Sequence, residues 1–158
     1  MTGSPQILVD GDACPVKDEI YRVAERTKTP VVIVANSHFR VPQSDLISRK
    51  IVSDGFDAAD DWIVEQSGPS SLVVTADIEL ADRALKKGAM AVRPNGDEFT
   101  TQNISSQMAS RAIMADLRAS AEGATSGIGG QKPFTKKDRS TFLMTLDRLI
   151  PKLKRRTP

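Results

Sequence analysis

Ile7-Leu8-Val9-Asp10-Gly11-Asp12-Ala13-Cys14-Pro15 is the stretch that decides the fold, because an apolar run ends there in two carboxylates one residue apart. An inner strand of a parallel sheet is buried on both faces, so it reads as continuous Ile, Leu and Val. Ligands bind just outside the carboxyl ends of such strands. The pattern recurs at Leu72-Val73-Val74-Thr75-Ala76-Asp77. These stretches predict two strand ends whose aspartates, Asp10, Asp12 and Asp77, can share one hard cation.

Strand and helix patterns alternate along the chain and predict an α/β fold. We expect a three-layer sandwich with a mostly parallel central sheet of four to five strands. Besides the two stretches above, the predicted strands cover residues 31–35, 47–51 and 89–92. The predicted helices cover residues 15–27, 58–66, 78–87 and 101–121. The last of these four helices carries an apolar side formed by Ile104, Met108, Ala112 and Leu117.

The chain of 158 residues predicts one domain with an appended helix. Residues 1–121 are expected to form the α/β domain, and the Gly/Ser/Ala-rich stretch 122–134 to be a flexible linker. Residues 135–158 are predicted to hold a basic helix that docks on the same domain. Thr135 is its expected N-cap, with Asp138 three residues later, and Pro151 is expected to lie beyond its end.

The sequence shows no sign of a membrane span or a signal peptide, and it has one cysteine. It has no apolar run of membrane-spanning length, and Met1-Thr2-Gly3-Ser4-Pro5 does not read as the start of a signal peptide. Cys14 is the single cysteine, so a disulfide within the chain is excluded. We therefore expect a cytoplasmic protein without a membrane partner.

The net charge of +2 hides a division along the chain. From Lys132 onward there are nine Lys and Arg against two Asp, a local balance of +7, whereas the other 13 basic and 18 acidic residues give −5. An acidic body that holds cations and a basic tail that holds phosphates suit a metal-dependent enzyme acting on nucleic acid. The predicted phosphate contacts in the tail are Lys132, Lys136, Lys137 and Arg139. The alternative is a solvated helix whose basic end complements the helix dipole.

A second acidic group occupies Asp54, Asp57, Asp60, Asp61 and Glu65. On a helix, Asp57 lies beside Asp60 and Asp61, and such like charges repel by a few tenths of a kcal/mol per pair. A bound cation would relieve that repulsion. The alternative is an ordinary acidic first turn that interacts with the helix dipole. We expect Asp57 or Asp60 to contribute to a metal site.

Several motifs together resemble the bacterial YaiI/YqxD family. They are Asp10-Gly11-Asp12-Ala13-Cys14-Pro15, Arg40-Val41-Pro42, Gly55-Phe56-Asp57-Ala58-Ala59-Asp60, Thr75-Ala76-Asp77-Ile78 and Lys136-Lys137-Asp138-Arg139. The resemblance implies a PIN-like (NYN-type) nuclease fold whose acidic residues bind Mg²⁺ or Mn²⁺. Carried over by position, the acidic set is Asp10, Asp12, Asp60 and Asp77, with Asp57 next to it. Glu79 and Asn95 depart from the family pattern, which has proline and often arginine there.

The leading functional hypothesis is metal-assisted hydrolysis of RNA phosphodiester bonds. Lys17 and Arg40 are further candidate phosphate contacts. One alternative is a phosphatase of the haloacid-dehalogenase type, with Asp10 as nucleophile and Asp12 as acid. Cys14 departs from that group's motif, and Lys50 is only a weak candidate for its lysine. A second alternative is a non-catalytic RNA-binding protein built on the same fold.

Overall fold

The computed structural model describes residues 4–12, 14–53, 55, 57–120 and 134–156. The strands are β1 (Gln6–Asp10), β2 (Val31–Ala35), β3 (Ile47–Ile51), β4 (Ser71–Val74), β5 (Met90–Val92) and β6 (Glu98–Phe99). The helices are α1 (Lys17–Thr27), α2 (Ala58–Gln66), α3 (Ile78–Lys86), α4 (Ile104–Ser120) and α5 (Lys136–Arg155). Strands and helices alternate through most of the chain, so the predicted α/β class is confirmed.

One sheet with the strand order β3-β2-β1-β4-β5-β6 organises the molecule. Neighbours from β3 to β5 pair in parallel, and only β6 is antiparallel, to β5. Strand β1 lies at the centre, where Leu8 is in register with Val32 on one side and Val73 on the other. A strand paired on both edges and covered on both faces is apolar throughout, which explains the uninterrupted run at its start.

Successive residues of the strands face opposite layers of helices. Ile7 and Val9 belong to a core cluster that includes α1 and α5, whereas Leu8 belongs to the cluster that includes α2, α3 and the start of α4. Helices therefore cover both faces of the sheet, as a three-layer fold requires. Phe142 of α5 and Ile20 of α1 are fully buried on the first face.

Six strands form the sheet within the described residues, so the predicted number of four to five is too low. The additional strand, β6, has only two residues and returns from β5 through a tight turn in which Gly96 donates to the carbonyl of Arg93 at 2.9 Å. Gly96 has a φ of 96°. Pro94 at the second position and Gly96 at the fourth position of this turn are a recognised turn signal, from which no hairpin was predicted. A two-residue strand is too short for periodicity to reveal.

Helix α5 begins as predicted but continues past its predicted end. The Thr135 side chain accepts from the Asp138 amide, and the Asp138 carboxylate accepts from the Thr135 amide, forming a capping box. Pro151 was expected beyond the helix, yet it lies inside it. Ile150 and Leu153 remain buried in the core cluster on either side of the proline. Their burial offsets the one backbone hydrogen bond that proline cannot donate.

The second half of α4 is less buried than its predicted apolar side implies. Ile104 is buried, but Ala112 is exposed and Leu117 is 53% exposed, so the predicted apolar side is only partly covered. In a helix of 17 residues that runs roughly 25 Å, Ile104 and Met108 near its start pack against the core cluster on that face. Ala112 and Leu117, farther along the helix, lie beyond that contact. Apart from Phe134, the predicted linker at 122–134 lies outside the described residues, as does Lys132.

No helix in the described ranges combines the length and the apolar character needed to cross a bilayer.

Candidate metal and nucleic-acid site

The candidate site lies at the topological switch point of the sheet, between β1 and β4. Strands β2 and β3 lie on one side of β1, whereas β4 and β5 lie on the other. In open α/β sheets, the crevice at this position is the usual place for a ligand. Asp10 is the last residue of β1, and Asp77 follows β4. Both carboxylates therefore stand at the carboxyl ends of the two central strands.

Gly11 explains how two aspartates leave β1 one residue apart. Its amide donates to the Val34 carbonyl at 2.7 Å, which keeps the chain close to β2 after the strand ends. A Cβ atom at this position would lie 2.7 Å from Ile33 Cγ2 and 2.9 Å from the Val34 carbonyl oxygen. Only glycine fits there without movement of the neighbouring strand. The chain then turns, and Asp12 is exposed.

Thr75 connects Asp10 to Asp77. The buried Thr75 hydroxyl donates to Asp10 Oδ2 at 3.0 Å and accepts from the Asp77 amide at 3.0 Å. One side chain therefore fixes the carboxylate that ends β1 and the backbone that precedes α3. From the sequence, Thr75 is predicted only as part of a strand end, although Thr hydroxyls are known to bond to the backbone two residues further along the chain.

Asp77 also has a structural task, since it is the N-cap of α3. Its Oδ1 atom accepts from the Glu79 amide at 2.9 Å and from the Leu80 amide at 3.3 Å. Capping thus accounts for one of its two carboxylate oxygens. The other oxygen is not required by the cap and can serve a ligand.

The start of α2 supplies two more carboxylates. Asp57 occupies the N-cap position with a φ of 64°, but its side chain makes no capping hydrogen bond. A non-glycine residue in this left-handed region is uncommon, and Asp is among the residues that tolerate it. Asp60 is half-buried in the first turn. Asp10, Asp12, Asp57 and Asp60 line one hollow of about 320 Å³, together with Asn36, Ser53, Gly55, Ala58 and Ala59.

Burial and neighbouring charges raise the pKa of two of these carboxylates, Asp10 and Asp60. Burial, followed by the charges of Asp77, Asp10 and Asp57, raises the pKa of Asp60 from 3.8 to about 6, against a smaller opposing effect of Arg83. Burial also raises the pKa of Asp10, the Thr75 hydrogen bond lowers it, and the charges of Asp12 and Asp77 raise it further. These mutual effects mean that the carboxylates form one electrostatic group.

This group is not a closed metal cage. Among the described residues, no three His, Cys, Asp or Glu side chains are arranged to hold a metal ion between them. Asp10 and Asp77 line an adjoining cleft, and Asp77 is not among the residues of the hollow that contains Asp60. Asp10 borders both spaces and is the residue that connects them.

Comparison with known proteins identifies the relatives of this chain. The family model described as "Uncharacterized BCR, YaiI/YqxD family" matches residues 8–152. The chain belongs to the YaiI/YqxD family. It is similar to a UPF0178 protein of Sphingopyxis alaskensis, with 58% identity over 152 residues that cover 96% of this chain and 97% of the relative. A UPF0178 protein of Brucella ovis is 54% identical over 150 residues, covering 94% and 91% respectively. No solved structure matches the chain.

In the part of the chain that the structure describes, the predicted phosphate-binding residues of this YaiI/YqxD protein line neither of the two spaces. Lys17 begins α1, with its ammonium 4.8 Å from the centre of the Phe39 ring. Arg40 is exposed in the loop after β2. Lys136 and Lys137 are exposed at the start of α5. Their role in binding RNA therefore stays a prediction.

Arg139 has a different setting from the two lysines before it. Its guanidinium donates to the Pro15 carbonyl at 2.7 Å and to Glu19 Oε1 at 3.3 Å, and it lies 5.0 Å from the Phe134 ring. These contacts tie the start of α5 to the start of α1. Arg139 is thus engaged within the protein, and its predicted phosphate contact competes with an existing ion pair.

A larger space beside the acidic group is not predicted from the sequence. This cleft of about 910 Å³ is lined at one end by Asp10 and Asp77 and elsewhere by residues of the β5–β6 turn and α4. Two arginines, Arg93 and Arg111, line it. Arg111 forms an ion pair with Glu79 at 3.3 Å, whereas Arg93 lies over the Phe99 ring at 4.6 Å. No local motif marks these residues, because they converge only through the fold.

Proposed function

We propose that this protein is a divalent-metal-dependent ribonuclease with a PIN-like fold that hydrolyses phosphodiester bonds in RNA. One observation carries the proposal. Carboxylates from three separate segments gather at the carboxyl ends of the central strands, and their mutual repulsion contributes to raising the pKa of Asp60 to about 6. A group of like charges costs stability, and perturbed carboxylates in a crevice are typical of functional sites.

The carboxylate oxygens fit Mg²⁺ or Mn²⁺ bound as a partly hydrated ion. Both are hard ions that prefer oxygen ligands, and Mg²⁺ usually keeps several waters while one or two carboxylates bind it. Such a site does not need three carboxylates in direct contact. Asp10, Asp60 and Asp77 are the residues that would hold the ion, with Asp12 and Asp57 beside them. When bound, the ion would lower the pKa of a coordinated water and stabilise charge on the leaving oxygen.

The protein's own part is to hold these carboxylates in place before the substrate arrives. Thr75 fixes Asp10 through its hydroxyl, and the cap hydrogen bonds of α3 fix Asp77. Supporting hydrogen bonds of this kind orient ligands, and their loss commonly costs about 10- to 100-fold in metal affinity or activity. Asp57 is free of a capping role, so its carboxylate is available to the same hollow.

Positive charge for the RNA backbone comes from outside the acidic group. We assign phosphate contacts to six basic residues: Lys17, Arg40, Lys132, Lys136, Lys137 and Arg139. A phosphate at Arg139 would replace Glu19 as its partner. Neutralising phosphates releases counterions, so RNA binding should weaken steeply as salt increases.

The test is cleavage of a labelled single-stranded RNA with Mn²⁺, with Mg²⁺ and with EDTA. We expect products with either metal and none with EDTA. Asp10→Asn and Asp60→Asn should each reduce the rate by at least about tenfold, because each removes a charged ligand while keeping the size of the side chain. Asp61→Asn is the matched control. Asp61 follows Asp60 on α2 but pairs with Arg83 at 3.0 Å.

Cleavage by the Asp10→Asn protein, purified in the same way, would reveal a contaminating ribonuclease. Equal cleavage by the wild type and this variant would refute the proposal. Hydrolysis of p-nitrophenyl phosphate without RNA cleavage, lost in Asp10→Asn, would favour the phosphatase alternative. Salt-dependent RNA binding without turnover under any metal would favour the non-catalytic binding protein.

A further inference from the structure

The cleft of about 910 Å³ beside the acidic group is large enough for a small organic ligand, since ligand pockets commonly enclose about 300–1,000 Å³. It shares Asp10 with the hollow and includes Asp77. A ligand in the cleft would therefore touch whatever is bound between the two carboxylates. The opposite wall is Asn103 together with one face of α4 that carries Ser106, Gln107, Ser110, Arg111 and Met114.

The wall from α4 is polar and leaves one acceptor unused. Asn103 is engaged within the protein, because it accepts from the Thr100 amide and donates to the Glu98 carbonyl, both at 3.0 Å. Gln107 differs, since its Oε1 atom is buried and has no hydrogen-bond partner among the described residues. A buried acceptor left unpaired costs free energy, so such atoms in folded proteins call for a donor. Gln107 lines the cleft, so a rotation of its side chain would turn this acceptor toward the cleft, where a ligand N–H group would supply the donor.

The charges of the cleft argue against a second phosphate as that ligand. Among the described residues, four acidic side chains and two arginines line the cleft: Asp10, Asp77, Asp97 and Glu98 with Arg93 and Arg111. Glu98 is paired with Arg148 at 3.1 Å, which leaves three acidic residues against the two arginines. Arg111 is already paired with Glu79. Arg93 makes no ion pair among the described residues, and its planar guanidinium suits stacking on a flat ring. An uncharged planar group with N–H donors fits these features best.

We propose that the cleft binds the nucleobase next to the phosphate held at the acidic group, and that Gln107 Oε1 accepts a hydrogen bond from that base. The inference rests on the proposed ribonuclease function and adds to it a base-binding subsite. The protein would then recognise more than the sugar-phosphate backbone, and its affinity for RNA would depend on the presence of bases.

The experiment compares two single-stranded probes of equal charge. One is a six-nucleotide oligocytidylate, and the other is an abasic ribose-phosphate chain of the same length. Binding is measured by fluorescence anisotropy with Ca²⁺, and a gel confirms that the probes stay intact. We expect the wild type to bind the base-containing chain at least about tenfold more tightly. Equal affinity for the two chains would overturn the proposal, and this comparison needs no variant to fold.

Gln107→Leu then locates the contact. The change removes the acceptor while keeping a helix-favouring side chain of similar length. It should weaken binding of the oligocytidylate about fivefold and leave binding of the abasic chain unchanged. Gln102→Leu is the control, because Gln102 is exposed and outside the cleft. Equal weakening of both probes by Gln107→Leu would overturn the assignment of Gln107.

Calorimetric Mn²⁺ titration of the wild type without RNA separates this inference from the function on which it rests. Mn²⁺ binding together with equal affinity for the two probes would reject the base subsite and keep the metal site. Absence of Mn²⁺ binding would reject the proposed function, and the base subsite with it.

Discussion

Replacing Asp60 by asparagine should stabilise the metal-free protein, because the wild-type carboxylate is charged in an unfavourable place. The pKa of Asp60 is raised from 3.8 to about 6 by burial and by the charges of Asp77, Asp10 and Asp57. A shift of about two pKa units corresponds to roughly 3 kcal/mol, which is an upper bound. Solvent screening at this half-buried position reduces the expected gain in the free energy of unfolding to about 1 kcal/mol.

The sign of the pH dependence follows from the direction of the shift. The folded protein binds the Asp60 proton more tightly than the unfolded chain does, so protonation stabilises the fold. The penalty from Asp60 is therefore fully present above pH 6 and fades as the pH falls toward 3.8. The difference between Asp60→Asn and the wild type should be largest near pH 7.5 and small near pH 4.

The assay is urea denaturation with EDTA at several pH values between 4 and 7.5. Asp61→Asn provides the control, since Asp61 lies in the same helical turn but loses an ion pair with Arg83 when it is neutralised. That variant should be destabilised by up to about 1 kcal/mol, so the two neighbouring substitutions should have opposite signs. If Asp60→Asn destabilises the protein at pH 7.5, or if its effect does not change with pH, the carboxylates do not form one electrostatic group.

Two further predictions concern the supports of the site and the basic helix. Thr75→Val should lower the free energy of unfolding at pH 7.5 by about 1–3 kcal/mol, because Asp10 loses its hydroxyl donor. Thr75→Ser retains a hydroxyl and should retain the stability of the wild type. Equal stability of the two variants in urea would contradict this prediction. The double substitution Lys136→Ala with Lys137→Ala should weaken single-stranded RNA binding and reduce the slope of log affinity against log salt by about 1.4, with thermal stability nearly unchanged. An unchanged salt slope in an anisotropy titration would leave these lysines as a solvated helix start.

The central part of the fold could be predicted from local sequence because its physical causes are local. Ile7 to Val9 form a strand buried on both faces, and Asp10 follows where the burial ends. The Thr135 capping box likewise involves residues three positions apart, so its pattern is visible in the sequence. By contrast, β6 is two residues long and exists only because its hairpin pairs with β5. Pro151 misled the prediction because tertiary packing holds the helix on both sides of it.

The candidate site also has one part that local sequence predicts and one part that depends on the fold. Asp10 ends a strand, and Asp12 and Asp77 follow strand ends, so their position at one edge of the sheet is expected from the pattern. The cleft beside them is a different matter, because its walls come from the β5–β6 turn and α4. Gln107 and Arg93 face a common space only once the chain has folded. No spacing rule could have selected them.

Calorimetric Mn²⁺ titration of the wild type and Asp77→Asn at pH 7.5 tests most directly whether the carboxylate group holds a metal. Asparagine is as good an N-cap as aspartate, so α3 and the fold should be retained. We predict Mn²⁺ binding by the wild type and at least about tenfold weaker binding by Asp77→Asn, with Asp61→Asn behaving like the wild type. Equal Mn²⁺ affinity of the wild type and Asp77→Asn, or no Mn²⁺ binding by the wild type, would contradict the proposed metal site.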